Sequence, residues 1–249
     1  MTNGPTWAEY LSKLLGSDLY NFAFSGATAN NSVVYRTTAD VSEQIYMFQQ
    51  TLRNQKLDPQ ESIYMLWTGV NDVHDIFVAS KDKGIEPESA IDRVISSVYN
   101  ELERLFTFSN ACNFGIMGLA PIDRLPLFDD LSSDEKSDLR DLIKLYNYNM
   151  QNMIKQFIHD HTSAKRRKRQ YAASNTGQVK IYFFDSHNLF QTFFEKPDEQ
   201  DLWVLDKMCQ SENSTQCRVP DRYLWWDTWH PTTAAHKIIA NGVSDLITL

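Results

Sequence analysis

The chain has 249 residues, 42% of them hydrophobic and 22% charged, with a formal net charge of −8. That length and balance fit a globular domain, and no run approaches the roughly eighteen apolar residues a membrane span requires. The acidic balance speaks against a nucleic-acid partner, which needs a basic face.

In chain order, Trp7 to Leu15 reads as a short helix, with Trp7, Tyr10, Leu11, Leu14 and Leu15 on one face. Leu19 to Phe24 is a short apolar strand candidate, and Ser62 to Trp67 is a second, followed by Gly69. Ile91, Val94, Ile95, Val98, Leu102, Leu105 and Phe106 recur at helical spacing. Phe114 to Ala120 is a third strand, stopped by Pro121. Ser132 and Glu135 form a capping box. The helix it opens carries Leu139, Leu142, Ile143, Tyr146, Met150, Met153, Ile154 and Phe157 on one stripe, its methionines read as core. Val179 to Phe184 is a fourth strand. A last helix follows Pro231, with Ile238, Ile239, Val243, Leu246 and Ile247 inward. Continuous apolar strands are buried on both faces, and their alternation with helices predicts a parallel sheet. The expected fold is therefore α/β, a doubly wound parallel sheet flanked by helices, in one domain over residues 1–249. Sites in such folds lie beyond the carboxyl ends of the strands.

Of the three cysteines, Cys112 sits in an apolar run and reads as a buried thiol. Cys209 and Cys217 flank a polar segment; a short disulfide loop and two free thiols both remain open. Asn213-Ser214-Thr215 within it and Asn30-Asn31-Ser32 are glycosylation sequons. The basic run Lys165 to Arg169 reads as a solvated loop. A start at Met1-Thr-Asn-Gly-Pro shows no signal peptide.

Three clusters carry residues suited to chemistry. In Trp226-Asp227-Thr228-Trp229-His230-Pro231, an aspartate three residues before a histidine can reach its Nδ1 and leave Nε2 as a general base. Taken alone, that spacing favours a surface aspartate and histidine near a helix start, with the aspartate as cap. In Thr68-Gly69-Val70-Asn71-Asp72, Asn71 can aim its amide at a developing oxyanion; taken alone, it reads as a turn. In Phe24-Ser25-Gly26-Ala27-Thr28, Gly26 can offer an unobstructed backbone N–H. Asp227, His230 and His236 have no recognised metal-site spacing.

Together and in this order, the clusters resemble the GDSL/SGNH hydrolases. Asn21-Phe-Ala-Phe-Ser-Gly-Ala-Thr28 resembles the family's second block, Gly69-Val70-Asn71-Asp72 its third, and Asp227 to Pro231 its fifth. The flanks Gly4 to Leu11 and Tyr223 to His236 resemble the family's fungal and plant branches, within which the chain is most similar to secreted fungal acetylesterases that act on carbohydrate esters. The resemblance implies an SGNH, flavodoxin-like fold and a serine esterase without metal or organic cofactor. It implies Gly26 and Asn71 as the oxyanion hole, His230 as the base and Asp227 as its orienting partner. It also implies secretion, to which the sequons and the cysteine pair lend weight. Small-molecule esters or acetylated carbohydrates are the implied substrates, with Trp225, Trp226 and Trp229 either lining the site or packing the core.

The family's first block, a strand ending in Gly-Asp-Ser with the nucleophile, has no counterpart here; no Gly-Asp-Ser occurs in the sequence. The nucleophile is thus expected outside the chain, and the domain is expected to be N-terminally truncated, lacking its first central strand and inactive as given. Ser25 is a poor substitute, since it occupies the position the family uses for oxyanion binding. Two other readings stand beside the esterase: a non-catalytic carbohydrate- or lipid-binding derivative, and a lysophospholipase or lipase of the same fold.

Overall fold

A computed structural model describes residues 2–53, 57–162, 178–196, 199, 201–210 and 216–248. The Asn213 sequon and the basic run from Lys165 to Arg169 lie outside the described residues. In chain order the elements are α1 (Trp7–Leu15), α2 (Val41–Thr51), β1 (Tyr64–Leu66), α3 (Val70–Lys83), α4 (Pro87–Ser109), β2 (Asn113–Met117), α5 (Ser133–Thr162), β3 (Lys180–Phe184), α6 (Ser186–Glu195), β4 (Val204–Met208), β5 (Tyr223–Trp225) and α7 (Thr233–Thr248). The contacts divide the chain into two compact units, one of whose chain boundaries falls within α5.

The first, the sheet unit, comprises Phe22–Leu119 and Asp141–Phe184. Its sheet is parallel, in the order β1-β2-β3, with Tyr64 opposite Phe114 and Phe114 opposite Ile181. From Phe114 to Met117 the central strand is buried throughout, as its unbroken apolar run requires. Pro87 occupies the first turn of α4, where a missing N–H costs nothing. The helix ends at Asn110 in the left-handed conformation. The α4 stripe expected from spacing is the buried one, joined by Ala90. Each fully buried side chain of that kind contributes about 1.5–3 kcal/mol. An aromatic series crosses the unit, with ring centroids 5.8 Å apart for Phe22–Phe48, 5.7 Å for Phe48–Tyr64, 6.0 Å for Tyr64–Phe114 and 5.9 Å for Phe114–Phe157.

The second, the terminal unit, comprises Met1–Asn21, Ala120–Arg140 and Asp185–Leu249. Here α1 lies along α7. Thr233 at the start of α7 donates from its N–H to Asn3 Oδ1 (2.8 Å) and from its hydroxyl to the Pro5 carbonyl (2.8 Å); its hydroxyl also lies 3.0 Å from that of Tyr10. The Ser132–Glu135 box opens α5, with Ser132 N–H to Glu135 Oε2 at 2.9 Å. Strands β4 and β5 pair in parallel as a separate two-stranded sheet. The open question of Cys209 and Cys217 resolves as a disulfide just beyond β4. Free Cys112 is buried, as expected.

One expected element is absent. Leu19 to Phe24 is not a strand. A strand persists only where a ladder satisfies its backbone, and these residues pair with no strand among the described residues. Leu19, Tyr20 and Phe24 stay exposed. Two other strands are shorter than their apolar runs: Ser62 to Trp67 keeps only Tyr64–Leu66, and Phe114 to Ala120 leaves the ladder after Met117. Elements α2, α3, α6, β4 and β5 had no counterpart in the sequence reading.

Candidate functional site

The sequence-derived residues fall into two groups, one in each unit. In the terminal unit, β5 leads into a loop closed by a bridge between Trp225 and Pro231 and by the Trp226 N–H donating to the His230 carbonyl (2.7 Å). Inside it, Asp227 Oδ1 accepts the N–H groups of Trp229 and His230, both at 2.8 Å. This is the local aspartate turn that the side chain favours. The His230 ring faces the same carboxylate, with Nδ1 2.9 Å from both Oδ1 and Oδ2. A carboxylate only accepts, so Nδ1 carries the hydrogen and Nε2 is the basic nitrogen. Burial pushes the Asp227 carboxyl up, but hydrogen bonds from the His230 ring and the Trp229 amide outweigh it and hold it below the usual carboxylate range. Asp227 therefore stays ionised and can stabilise an imidazolium.

His236, on the first turns of α7, differs. Burial depresses its pKa to about 4, so it is neutral at neutral pH. Among the described residues its Nδ1 has no hydrogen-bond partner. Among the described residues, no three His, Cys, Asp or Glu side chains group as metal ligands. Trp225 is core: it stacks on Phe190 with centroids 5.8 Å apart and donates from Nε1 to the Leu205 carbonyl (2.8 Å). Trp226 and Trp229 are only partly buried.

In the sheet unit, Phe24 to Ala27 forms a turn, with the Ala27 N–H donating to the Phe24 carbonyl (3.3 Å). Gly26, third in the turn, has φ +83°. A type II turn needs that value at this position and glycine supplies it without strain. Such a turn uses the N–H of its fourth residue, and among the described residues nothing accepts the Gly26 N–H. Asn71 lies in the first turn of α3, which Gly69 opens at φ +111°. Its Nδ2 donates to the Ala27 carbonyl (2.7 Å), and a primary amide has a second hydrogen to give. Gly26 and Asn71 are thus brought to one turn. Ser25 is exposed beside Gly26.

Three residues that secure this turn escaped the sequence reading as site residues. Asp72, fully buried, accepts the Ala29 N–H with both oxygens, at 3.0 and 3.2 Å. Burial pushes its pKa up to about 7. Asp75 pairs with His74 and with Arg36. Reading α3 as a helix would have put Asp75 on the face of Asn71, four residues on; Arg36 had no local pattern to reveal it.

A family model described as GDSL-like lipase/acylhydrolase matches residues 1–243. Among similar proteins, the thermolabile hemolysin of Vibrio parahaemolyticus is 26% identical over 255 residues, an alignment covering 96% of this chain and 54% of the hemolysin. The acetylesterase of Thermothelomyces thermophilus is 22% identical, over 98% of this chain and 75% of that enzyme. That of Hypocrea jecorina is 23% identical, over 99% and 77%. The chain thus spans about half the length of the hemolysin, and about three quarters of each acetylesterase.

Proposed function

The chain belongs to the GDSL-like lipase/acylhydrolase family, and from that premise we propose that it serves a serine esterase that removes acetyl or other short acyl groups from carbohydrates or small esters. The observation that carries the reading is the His230 ring held with Nδ1 2.9 Å from both Asp227 oxygens, its tautomer fixed. In this reading, a serine outside residues 1–249 gives its proton to His230 Nε2 and attacks the ester carbonyl. The tetrahedral oxyanion accepts from the Gly26 N–H and the second hydrogen of the Asn71 amide. As the intermediate collapses, His230 returns the proton to the departing alcohol. Water then repeats the sequence on the acyl-enzyme and frees the acid. The similarity to two acetylesterases supports a short acyl group. The Cys209–Cys217 disulfide supports secretion, because such bonds persist in oxidising compartments.

The test uses the protein as its gene encodes it, any residues outside 1–249 included. Acid release is measured from p-nitrophenyl esters of increasing acyl length and from acetylated xylan. A preference for acetyl supports the proposal, and a preference for long acyl chains turns it toward a lipase. Oligosaccharide binding without acid release would replace it with the non-catalytic reading. Mapping the 5′ end of the transcript shows whether the frame carries an upstream Gly-Asp-Ser strand and signal peptide.

A further inference from the structure

The geometry points to Arg36 as a positioning residue for the oxyanion site, one that ties the Gly26 turn to the helix carrying Asn71. This rests on the ester-hydrolase reading above. The guanidinium makes three contacts with two targets. Nε donates to Asp75 Oδ2 and Nη2 to Asp75 Oδ1, both at 2.8 Å, a parallel fork of the strong bidentate kind. Nη1 reaches the Gly26 carbonyl at 3.3 Å. A methyl group on Gly26 would come within 3.7 Å of that same Nη1, so the guanidinium lies over the turn.

Asp75 is four residues beyond Asn71 on α3 and so shares its face. It is held a second time by the His74 ring, whose Nδ1 lies 2.6 Å from Oδ1. Both oxyanion donors are therefore referenced to one rigid helix. Asn71 holds the Ala27 carbonyl directly (2.7 Å), and Arg36 holds the neighbouring Gly26 carbonyl through Asp75. These two bonds fix the peptide units that follow Gly26, and with them the position of the Gly26 Cα that its N–H nitrogen is bonded to. This matters because an oxyanion donor works only when it lies within hydrogen-bond distance of the developing charge, and a displacement of about 1 Å can cost about a hundredfold in rate.

The experiment compares Arg36→Ala, Arg36→Lys and Asp75→Asn in the protein as its gene encodes it. Two readouts are used: kcat and KM for p-nitrophenyl acetate, and the amide resonance of Gly26 in ¹⁵N-labelled protein. Arg36→Ala is expected to lower kcat about 10- to 100-fold with KM within about threefold, because the lost interaction acts on the transition state. Free guanidinium at non-denaturing concentration should restore part of the rate, and Arg36→Lys should retain part of it. An unchanged kcat in a folded Arg36→Ala protein overturns the proposal, as does a loss confined to KM. Should Arg36→Ala fail to fold, Asp75→Asn, which keeps the side-chain volume, carries the same expectation. If the wild-type protein hydrolyses no ester, the esterase reading fails separately. The Gly26 resonance then decides the positioning: unmoved in the variants, it sinks the idea; displaced more than its neighbours, it supports it.

Discussion

The Asp227–His230 loop and the Gly26 turn present opposite solutions to holding a candidate catalytic group. The first is built from six consecutive residues, and every hydrogen bond that fixes the imidazole comes from within three positions of it. The second is assembled from three separated stretches: the turn itself, Arg36, and Asn71 to Asp75 on α3, with separations up to 44 residues. A local device survives distant change, since its partners travel with it. An assembled device depends on everything that sets the spacing of its parts.

Four predictions strain that contrast. The largest effect falls on the local device: Asp227→Asn should lower kcat by about 10⁴ by imposing the wrong tautomer, and His230→Ala should cost at least as much. Both variants should keep the thermal midpoint of the parent, and a drop of many degrees would mean that the loop is structural. In the assembled device, Asn71→Ala should cost about 10²–10³ in kcat by removing one donor of the proposed oxyanion hole. It should also release the Ala27 carbonyl, which a steady-state assay beside a melt would reveal as a joint loss.

The third prediction concerns pH. Asp72 has a folded pKa raised by burial from 3.8 to about 7. Over that interval the folded state holds a proton that the unfolded state has released. Its contribution to stability is complete below about pH 4 and is lost as pH rises through about 7. Asp72→Asn removes this dependence. Urea melts of the two proteins should therefore move in favour of the variant between pH 5 and 8; a constant difference would contradict the burial argument. The smallest effect lies beside the assembled device: Asp40→Ala removes the cap of α2, where Glu43 N–H donates to Asp40 Oδ1 at 2.9 Å, and the bond from Asn31 N–H to Oδ2 at 2.8 Å, and should cost about 1–2 kcal/mol in a denaturant titration.

The same contrast explains what the sequence could reveal. Helix α1 appears with the bounds its periodicity implies, and the α4 stripe from Ile91 to Phe106 is the buried one. Asp-x-x-His is legible because its partners are adjacent. Helix α2 was legible but overlooked: Asp40 and Glu43 form a capping box with aspartate in place of serine or threonine. Helix α3 was hidden by its own start, where Gly69 and the Asn71-Asp72 pair mimic a turn. Strand character at Leu19 to Phe24 was misjudged because apolar content states a preference, whereas a strand also requires a neighbour. Arg36 was illegible for the reason that makes it interesting: its fork reaches across 39 residues to Asp75.

The junction of α1 with α7 bears on biosynthesis. Tyr10 and Thr233 meet across 223 residues. At about 5–20 residues per second, a ribosome needs roughly 10–45 s to deliver the second after the first. For most of that interval α1 is clear of the exit tunnel with its apolar face uncovered. A nine-residue helix is marginal in water by itself, so it gains its stability only when α7 arrives to cover it. The segment that follows His230 is thus the one whose arrival ends that vulnerable period.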